Sequence, residues 1–186
     1  MKEVRFHGRG GQGAVTAARI LASAIFEEGT NNIQAFPAFG MERRGAPVRA
    51  FLRFSADEPI PIRTYVYTPD YVVVLDPTLF ETVNVNILDG LKRDGIVIIN
   101  TGEHPSKFRI PAGKIAVVDA TSIALKILGR PIVNTPMIGA FAAATQEVSL
   151  SAVIEAINEK FPKRLAERNV QAAKIGYQET RVYNST

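Results

Sequence analysis

The chain has 186 residues, of which 46% are hydrophobic and 22% charged, which is ordinary for one water-soluble globular domain. Its net charge of +4 fits an anionic ligand, but the Lys and Arg residues are scattered, which argues against a nucleic-acid partner. Because the chain contains no cysteine, it can form no disulfide and can ligate no iron–sulfur cluster.

Other classes of protein are also disfavoured. The two histidines, His7 and His104, lie far apart and outside any metal-ligand spacing, so we expect no metal site. No apolar run reaches the length of a membrane span, and the charged start lacks the pattern of a signal peptide. We therefore expect a cytoplasmic protein that does not enter a membrane.

The first half of the chain predicts short strands and one helix. Apolar residues alternate with polar ones in the strands, and Thr16, Arg19, Ser23 and Glu27 form one narrow polar stripe on the helix. A helix with so narrow a polar stripe is expected to cover a sheet. The predicted strands span residues 4–7, 33–36, 48–54 and 63–67, and the helix spans 14–26.

The second half predicts strands buried on both faces. Nearly continuous β-branched runs at 71–76, 95–100 and 114–120 are typical of such strands. The predicted helices between and after them span residues 78–90, 121–128, 134–148, 150–160 and 163–180. This alternation indicates an α/β fold class: a three-layer α/β/α, Rossmann-like domain over 1–186 with a largely parallel sheet. Residues 48–67 break the rhythm and predict an antiparallel hairpin added at one edge.

A glycine-rich loop joins the first strand to the first helix. Its residues, all candidate ligand contacts, are Gly8, Arg9, Gly10, Gly11, Gln12 and Gly13. The spacing Gly-x-Gly-x-x-Gly before a helix is typical of a phosphate-binding turn, because glycines permit positive φ and the helix start presents free N–H groups. The alternative is a tight turn that the glycines serve by close packing alone.

A dinucleotide is the obvious ligand for this spacing, but the sequence lacks its second requirement. NAD-binding folds place an acidic residue at the end of the second strand to bind a ribose hydroxyl. Here that strand ends in Phe36-Pro37, and Glu27 and Glu28 fall at the end of the helix. The loop therefore favours a different anion.

A second loop, "PAFGMERRGAP" at 37–47, carries charge beyond the second strand. Its Arg43 and Arg44 suit phosphate or carboxylate, and Glu42 can orient one of them. If the strands are parallel, this loop and the glycine-rich loop share one rim of the sheet. A subunit contact and a solvated surface loop remain open as alternatives.

The remaining polar residues point to structural roles. Asp76 and Asp119 end buried strands and are expected to cap the elements that follow, Asn134 or Thr135 to cap a helix, and His104 to lie on the surface. No nucleophile is placed beside a base, so we assign no catalytic residue to this chain.

Four motifs in order carry a resemblance to a known family. "HGRGGQGAVTAARILA", "QAFPAFGMERRGAPVRAF", "PDYVVVLDPTL" and "NTPMIGA" resemble the gamma subunit of 2-oxoacid:ferredoxin oxidoreductases. The pyruvate or branched-chain (2-oxoisovalerate) type is the most similar pattern, and the match runs along most of the chain.

The resemblance implies a part in a larger enzyme. The family decarboxylates a 2-oxoacid on thiamine diphosphate, passes electrons through [4Fe-4S] clusters to ferredoxin and forms acyl-CoA. Thiamine diphosphate and the clusters are then expected on alpha, beta and delta-type partner subunits. This chain would complete the assembly and help to place CoA, whose phosphates the residues 8–13, Arg43 and Arg44 would hold. A stand-alone CoA- or nucleotide-binding module and an NAD(P)-dependent oxidoreductase are the alternative functions.

Overall fold

A computed structural model describes residues 1–38, 44–61, 63–108 and 110–184, which form seven strands and five α-helices. The strands are β1 (Lys2–Arg9), β2 (Asn32–Pro37), β3 (Pro47–Ser55), β4 (Tyr71–Val74), β5 (Ile96–Asn100), β6 (Lys114–Val118) and β7 (Arg181–Asn184). The helices are α1 (Ala14–Glu27), α2 (Ala120–Leu128), α3 (Asn134–Thr145), α4 (Leu150–Lys160) and α5 (Lys163–Glu179). Within the described ranges, no helix is both long enough and apolar enough to cross a bilayer.

All seven strands lie in one mixed sheet with the order β2-β3-β1-β4-β5-β6-β7. Strands β1, β4, β5 and β6 pair in parallel, while β3 and β7 run against their neighbours. The predicted α/β class and the largely parallel sheet are confirmed. An antiparallel pair does lie at one edge, but its predicted placement over residues 48–67 is wrong, because β2 and β3 form it and β3 is inserted between β2 and β1.

The strand predicted at 63–67 is wrong. This segment joins no strand among the described residues, because two arginine side chains bond to its carbonyl groups. Arg53 donates to the carbonyls of Thr64 (2.6 Å) and Tyr65 (2.9 Å), and Arg5 donates to that of Val66 (3.2 Å). The guanidinium groups thus satisfy acceptors that a ladder would otherwise pair.

The two faces of the sheet are covered differently. All five α-helices contribute to one hydrophobic cluster, which takes Val73 and Leu75 from around β4. Val72 and Val74 point to the other face, where a 3-10 helix (Pro77–Glu81) and turns over residues 85–91 cover them. The α-helix predicted at 78–90 is therefore wrong. The chain leaves the 3-10 conformation at Thr82 and passes through Asn84 with φ 64°, which no α-helix accommodates.

The remaining predicted helices are confirmed within a few residues. On α1, Arg19, Ser23 and Glu27 are exposed as their stripe predicts, and Thr16 is half-buried. The missed element is β7, four residues directly after α5 that pair antiparallel with β6. Its sequence, "RVYN", is too short to show a strand period.

Helices α3 and α5 pack through glycine. A Cβ added at Gly139 of α3 would lie 2.0 Å from the carbonyl oxygen of Ala173, and one added at Gly176 of α5 would lie 2.2 Å from that of Pro136. The two backbones touch, so the "NTPMIGA" motif holds α3 tightly against α5 and fixes where α3 begins.

Candidate functional site at the carboxyl ends of β1 and β4

The glycine-rich loop forms the turn between β1 and α1. Gly11 and Gly13 have φ of 99° and 88°, a left-handed conformation that favours glycine. Gly13 is the N-cap of α1 and offers no side chain, and the first helical bond runs from Ala17 N–H to the Gly13 carbonyl (2.8 Å). In the part of the chain that the structure describes, the N–H groups of residues 14–16 therefore have no acceptor. Together with the helix dipole, they favour an anion at this end of α1.

Asn134, the first residue of α3, lies directly against this turn. A Cβ placed on Gly13 would lie 2.9 Å from Asn134 Nδ2, so glycine is required there for space as well as for φ. Asn134 is only 4% exposed, and its Oδ1 accepts a hydrogen bond from Thr135 N–H (2.8 Å). Its Nδ2 has no acceptor among the described residues. The "NTPMIGA" motif thus brings a largely buried side chain with an unused amide donor, which solvent reaches, to the start of α1.

The predicted role of Asn134 or Thr135 as a helix cap is wrong. The N-cap of α3 is Val133, which makes no side-chain capping bond, and Thr135 Oγ1 instead donates to Asn169 Oδ1 on α5 (3.0 Å). By contrast, the predicted caps at Asp76 and Asp119 are confirmed. Asp76 accepts from Thr78 N–H (3.0 Å), and Asp119 accepts from the N–H at the start of α2 (2.9 Å).

Asp76 also organises the glycine-rich loop from β4. Its Oδ2 accepts from Arg9 Nε (3.2 Å) and Gln12 Nε2 (2.9 Å), and Gln12 Oε1 accepts from Arg9 N–H (2.7 Å). Burial alone would raise the pKa of Asp76, but hydrogen bonds from Thr78 and Gln12 and the charge of Arg9 outweigh it and lower the pKa below its usual value. Arg9 and Gln12 are therefore committed to the fold, which leaves backbone N–H groups as the free donors of the loop.

The second loop lies beside the first, as the sequence predicts. Gly10 and Arg44 form a bridge, with Gly10 N–H donating to the Ala46 carbonyl (2.9 Å) and Gly45 N–H donating to the Gly10 carbonyl (3.1 Å). Arg44 is exposed and, among the described residues, has no ion pair. The other predicted contact, Arg43, lies outside the described residues, as does Glu42.

The glycine-rich loop and Arg44 lie at the position in the sheet from which the strand order continues in two opposite directions. From β1 the chain turns to β2 and β3 on one side, whereas from β4 it turns to β5 and β6 on the other. Parallel sheets bind ligands at such a switch point, beyond the carboxyl ends of the strands. The neighbour of β1 on the first side is antiparallel β3, so β2, the strand whose end holds the ribose-binding acid in dinucleotide folds, is one strand further away.

A row of buried titratable residues on β1 was not among the site residues predicted from the sequence. Glu3, Arg5 and His7 all point away from the α-helices, and Arg53 of β3 joins them through an ion pair with Glu3 (2.7 Å). The sequence does contain the pattern of this row, because every second residue of β1 from Glu3 onward is charged or titratable. His104 is exposed, as predicted.

Comparison with known proteins places the chain in a family. Residues 3–179 match the family described as pyruvate ferredoxin/flavodoxin oxidoreductase. The chain is 57% identical to the pyruvate/ketoisovalerate oxidoreductases common subunit gamma of Thermococcus kodakarensis, over 98% of this chain and 99% of that one. It is 56% identical to the pyruvate synthase subunit PorC of Methanothermobacter marburgensis, over 96% and 97%.

A solved structure agrees with these relatives. The crystal structure of the pyruvate oxidoreductase subunit PORC of Thermotoga maritima covers 98% of both chains with a TM-score of 0.84 and 40% identity. The fold and the relatives define an oxidoreductase subunit rather than a complete enzyme. The chain belongs to the pyruvate ferredoxin/flavodoxin oxidoreductase family, as a subunit of the gamma type, and the resemblance carried by the four motifs is confirmed.

Proposed function

We propose that this chain is the gamma subunit that completes a 2-oxoacid:ferredoxin oxidoreductase, with pyruvate as the first candidate substrate. The assembly would convert the 2-oxoacid and CoA to acyl-CoA and CO2 and pass the electrons to ferredoxin. The names of the relatives from Thermococcus and Methanothermobacter support this role. Residues 1–186 would act as one gamma-type domain in the cytoplasm.

The cofactors of the reaction would lie on the partners. Without cysteine, this chain offers no ligand set for a [4Fe-4S] cluster. Alpha, beta and delta-type subunits would carry the clusters and thiamine diphosphate and would pass electrons to ferredoxin. Purification from the native source tests this assignment, since we expect the chain to elute with cluster- and thiamine-bearing partners. Elution of the chain alone would contradict it.

The contribution of this chain would be to help to place CoA. The observation that carries this proposal is the start of α1. Among the described residues, its first N–H groups have no acceptor and lie beside the amide of Asn134. Arg44, which has no ion pair within the same part of the chain, bridges to Gly10 in the adjoining loop. CoA carries phosphate groups, and helix starts with nearby arginine bind phosphate well. The negative charge of Asp76 does not exclude a phosphate here. Its carboxylate already pairs with Arg9 and accepts hydrogen bonds from Thr78 and Gln12. Arg43 would extend the site.

CoA is favoured over a nicotinamide dinucleotide by the sheet. Binding of NAD(P) would need an acidic or basic group at the end of the second strand, beside β1, and the strand beside β1 on that side is antiparallel β3. Such a strand ends at the opposite edge of the sheet. Titration of the chain with NADH is therefore expected to show no saturable binding.

Steady-state kinetics of the assembled enzyme test the CoA contact. Loss of a charged phosphate contact weakens binding by about tenfold or more. We expect Arg44→Ala to raise the KM for CoA by about that factor and to leave the KM for the 2-oxoacid unchanged. Arg19→Ala, an exposed arginine on the outer stripe of α1, is the matched control. An unchanged KM for CoA in Arg44→Ala would refute the proposed contact.

A further inference from the structure

A polar cavity, separate from the glycine-rich loop, lies on the face of the sheet opposite the α-helices. It has a volume of about 250 Å³. Its polar lining comes from His7, Arg49, Asn84 and Asn86, and its apolar lining includes Leu79 and Val85. No acidic residue is among the described residues that line it. The cavity therefore presents nitrogen groups over an apolar floor.

His7 presents a hydrogen-bond donor to this cavity, and its tautomer follows from its partner. Arg5 Nε lies 3.0 Å from His7 Nε2, and an arginine can only donate. Nε2 must therefore accept, and the proton of the neutral ring must sit on Nδ1. His7 is 2% exposed, and within the described chain its Nδ1–H has no acceptor.

The neutral form of His7 is strongly favoured. Burial, together with the charges of Arg5 and Arg49, lowers the pKa of His7 to about 3. The ring therefore remains a neutral Nδ1–H donor across the physiological pH range. It offers the cavity a hydrogen bond and adds no charge of its own.

Arg5 supplies positive charge behind the ring. It is 3% exposed, and its other hydrogen bonds run to the carbonyl oxygens of Val66, Ile87 and Asp89. In the described part of the chain, no carboxylate lies within ion-pair distance of it. The charge of Asp89 attracts Arg5 from further away, but burial and the charge of Arg49 outweigh this attraction and lower the pKa of Arg5. A buried cation without a close counter-ion is unfavourable, and an anion in the adjacent cavity would offset that cost.

Arg49 brings a second cation to the cavity. Its guanidinium lies over the rings of Phe51 and Tyr65, with its central carbon 6.0 and 5.4 Å from their centroids. These rings orient the side chain without neutralising it. Arg49 also has no ion pair among the described residues, so its charge is available to a ligand.

We infer that this cavity binds a small oxyanion, held by His7 Nδ1–H, the Arg49 guanidinium and the side-chain amides of Asn84 and Asn86. The described lining of the cavity offers hydrogen-bond donors and no acidic side chain. It therefore suits a ligand that carries either a phosphate or a carboxylate group. The volume corresponds to about eight water molecules, which limits the ligand to a compact molecule. The residues of this site are separate from the glycine-rich loop and Arg44, so the inference does not depend on the proposed CoA contact.

Anion binding by the full-length chain tests the inference and identifies the class of oxyanion. Inorganic phosphate and acetate are titrated separately in chloride buffer of constant ionic strength, and binding is followed by calorimetry. The ¹⁵N signal of the His7 ring is followed in parallel. We expect one of the two anions to bind in the millimolar range and to shift the His7 Nδ1 signal.

Two arginine variants make the test specific. Arg49→Gln is expected to weaken binding about tenfold or more. Arg63→Gln is the matched control, because Arg63 is also exposed and also lies over a ring, that of Phe36 (5.3 Å), but does not line the cavity. This control is expected to leave binding unchanged.

Several results would overturn the inference. Equal weakening in both variants would mean diffuse attraction to surface charge, and an unshifted His7 signal would place the anion elsewhere. Failure of both anions to bind below about 10 mM would also refute it. If, in that case, Arg49→Gln weakens assembly with the partner subunits, the cavity receives an acidic side chain of a partner instead.

Discussion

Gly13 tests the geometry of the glycine-rich loop most sharply. The change Gly13→Ala adds one methyl group at a residue with φ 88°. It also places that methyl 2.9 Å from Asn134 Nδ2 and 3.2 Å from Asn134 Cβ and Cγ. Asn134 is almost wholly buried and cannot swing into solvent, so both strain and crowding are expected.

The two contributions can be given separate magnitudes. A left-handed conformation at a residue other than glycine costs about 1–2 kcal/mol. Overpacking against a buried neighbour adds about 1–3 kcal/mol. Gly11→Ala is the matched control, because Gly11 has φ 99° and a Cβ there would meet nothing within 4 Å. It should show only the backbone contribution.

Urea unfolding of the full chain measures both variants. We expect Gly13→Ala to lower the free energy of unfolding by about 1–3 kcal/mol more than Gly11→Ala does. In the double variant Gly13→Ala/Asn134→Ala, the loss should be smaller than the sum of the single losses, because the crowding partner has gone. Equal losses in Gly13→Ala and Gly11→Ala would refute the close contact between the loop and α3.

Three further changes test the packing and the buried charges. Glu3→Gln removes the counter-ion of buried Arg53 and should cost about 3 kcal/mol of unfolding free energy. In a double-mutant cycle with Arg53→Met the two losses should fall short of additivity by more than about 1 kcal/mol, and additive losses would contradict the pairing. Gly139→Ala should destabilise the chain by about 2 kcal/mol, since the clash with the Ala173 carbonyl, at the upper end of about 3 kcal/mol for overpacking, outweighs the gain in helix propensity of about 1 kcal/mol. A more stable variant in thermal unfolding would show that α3 and α5 are further apart. His7 stays neutral in the folded chain to a pH of about 3, whereas the unfolded chain binds its proton below about 6.5. Stability should therefore fall as the pH drops, by about 2 kcal/mol between pH 7 and pH 5 relative to His7→Gln. Parallel pH profiles of the two proteins would contradict burial of a neutral ring.

The sequence predicts those parts of the fold that local patterns determine. Continuous β-branched runs locate β4, β5 and β6, because strands buried on both faces need apolar residues at every position. The amphipathic stripe locates α1. The pairing of β3 with β1 could not be predicted, because an alternating strand looks alike at an edge and between two neighbours.

The candidate site could be predicted in part, because one general rule of parallel sheets locates it. The rule that ligands collect at the carboxyl ends of parallel strands correctly brings residues 8–13 and Arg44 together. The sequence does not show that Arg9 and Gln12 bond to Asp76, or that Asn134 approaches Gly13. These contacts join segments that are distant along the chain. The buried Arg5–His7 pair was missed because charged alternation usually marks a solvated face, whereas here the segment around Val66 and Ile87 covers it.

Hydrogen exchange in the assembled enzyme tests the central claim most directly. The N–H groups of residues 14–16 have no acceptor within the described chain, so they should exchange readily in the complex without substrate unless a partner subunit already covers them. Addition of CoA is expected to slow exchange in the peptide covering residues 10–17, whereas NADH is expected to leave it unchanged. Exchange in that peptide that is open before CoA is added and unaltered by saturating CoA would contradict a role for the glycine-rich loop in placing CoA.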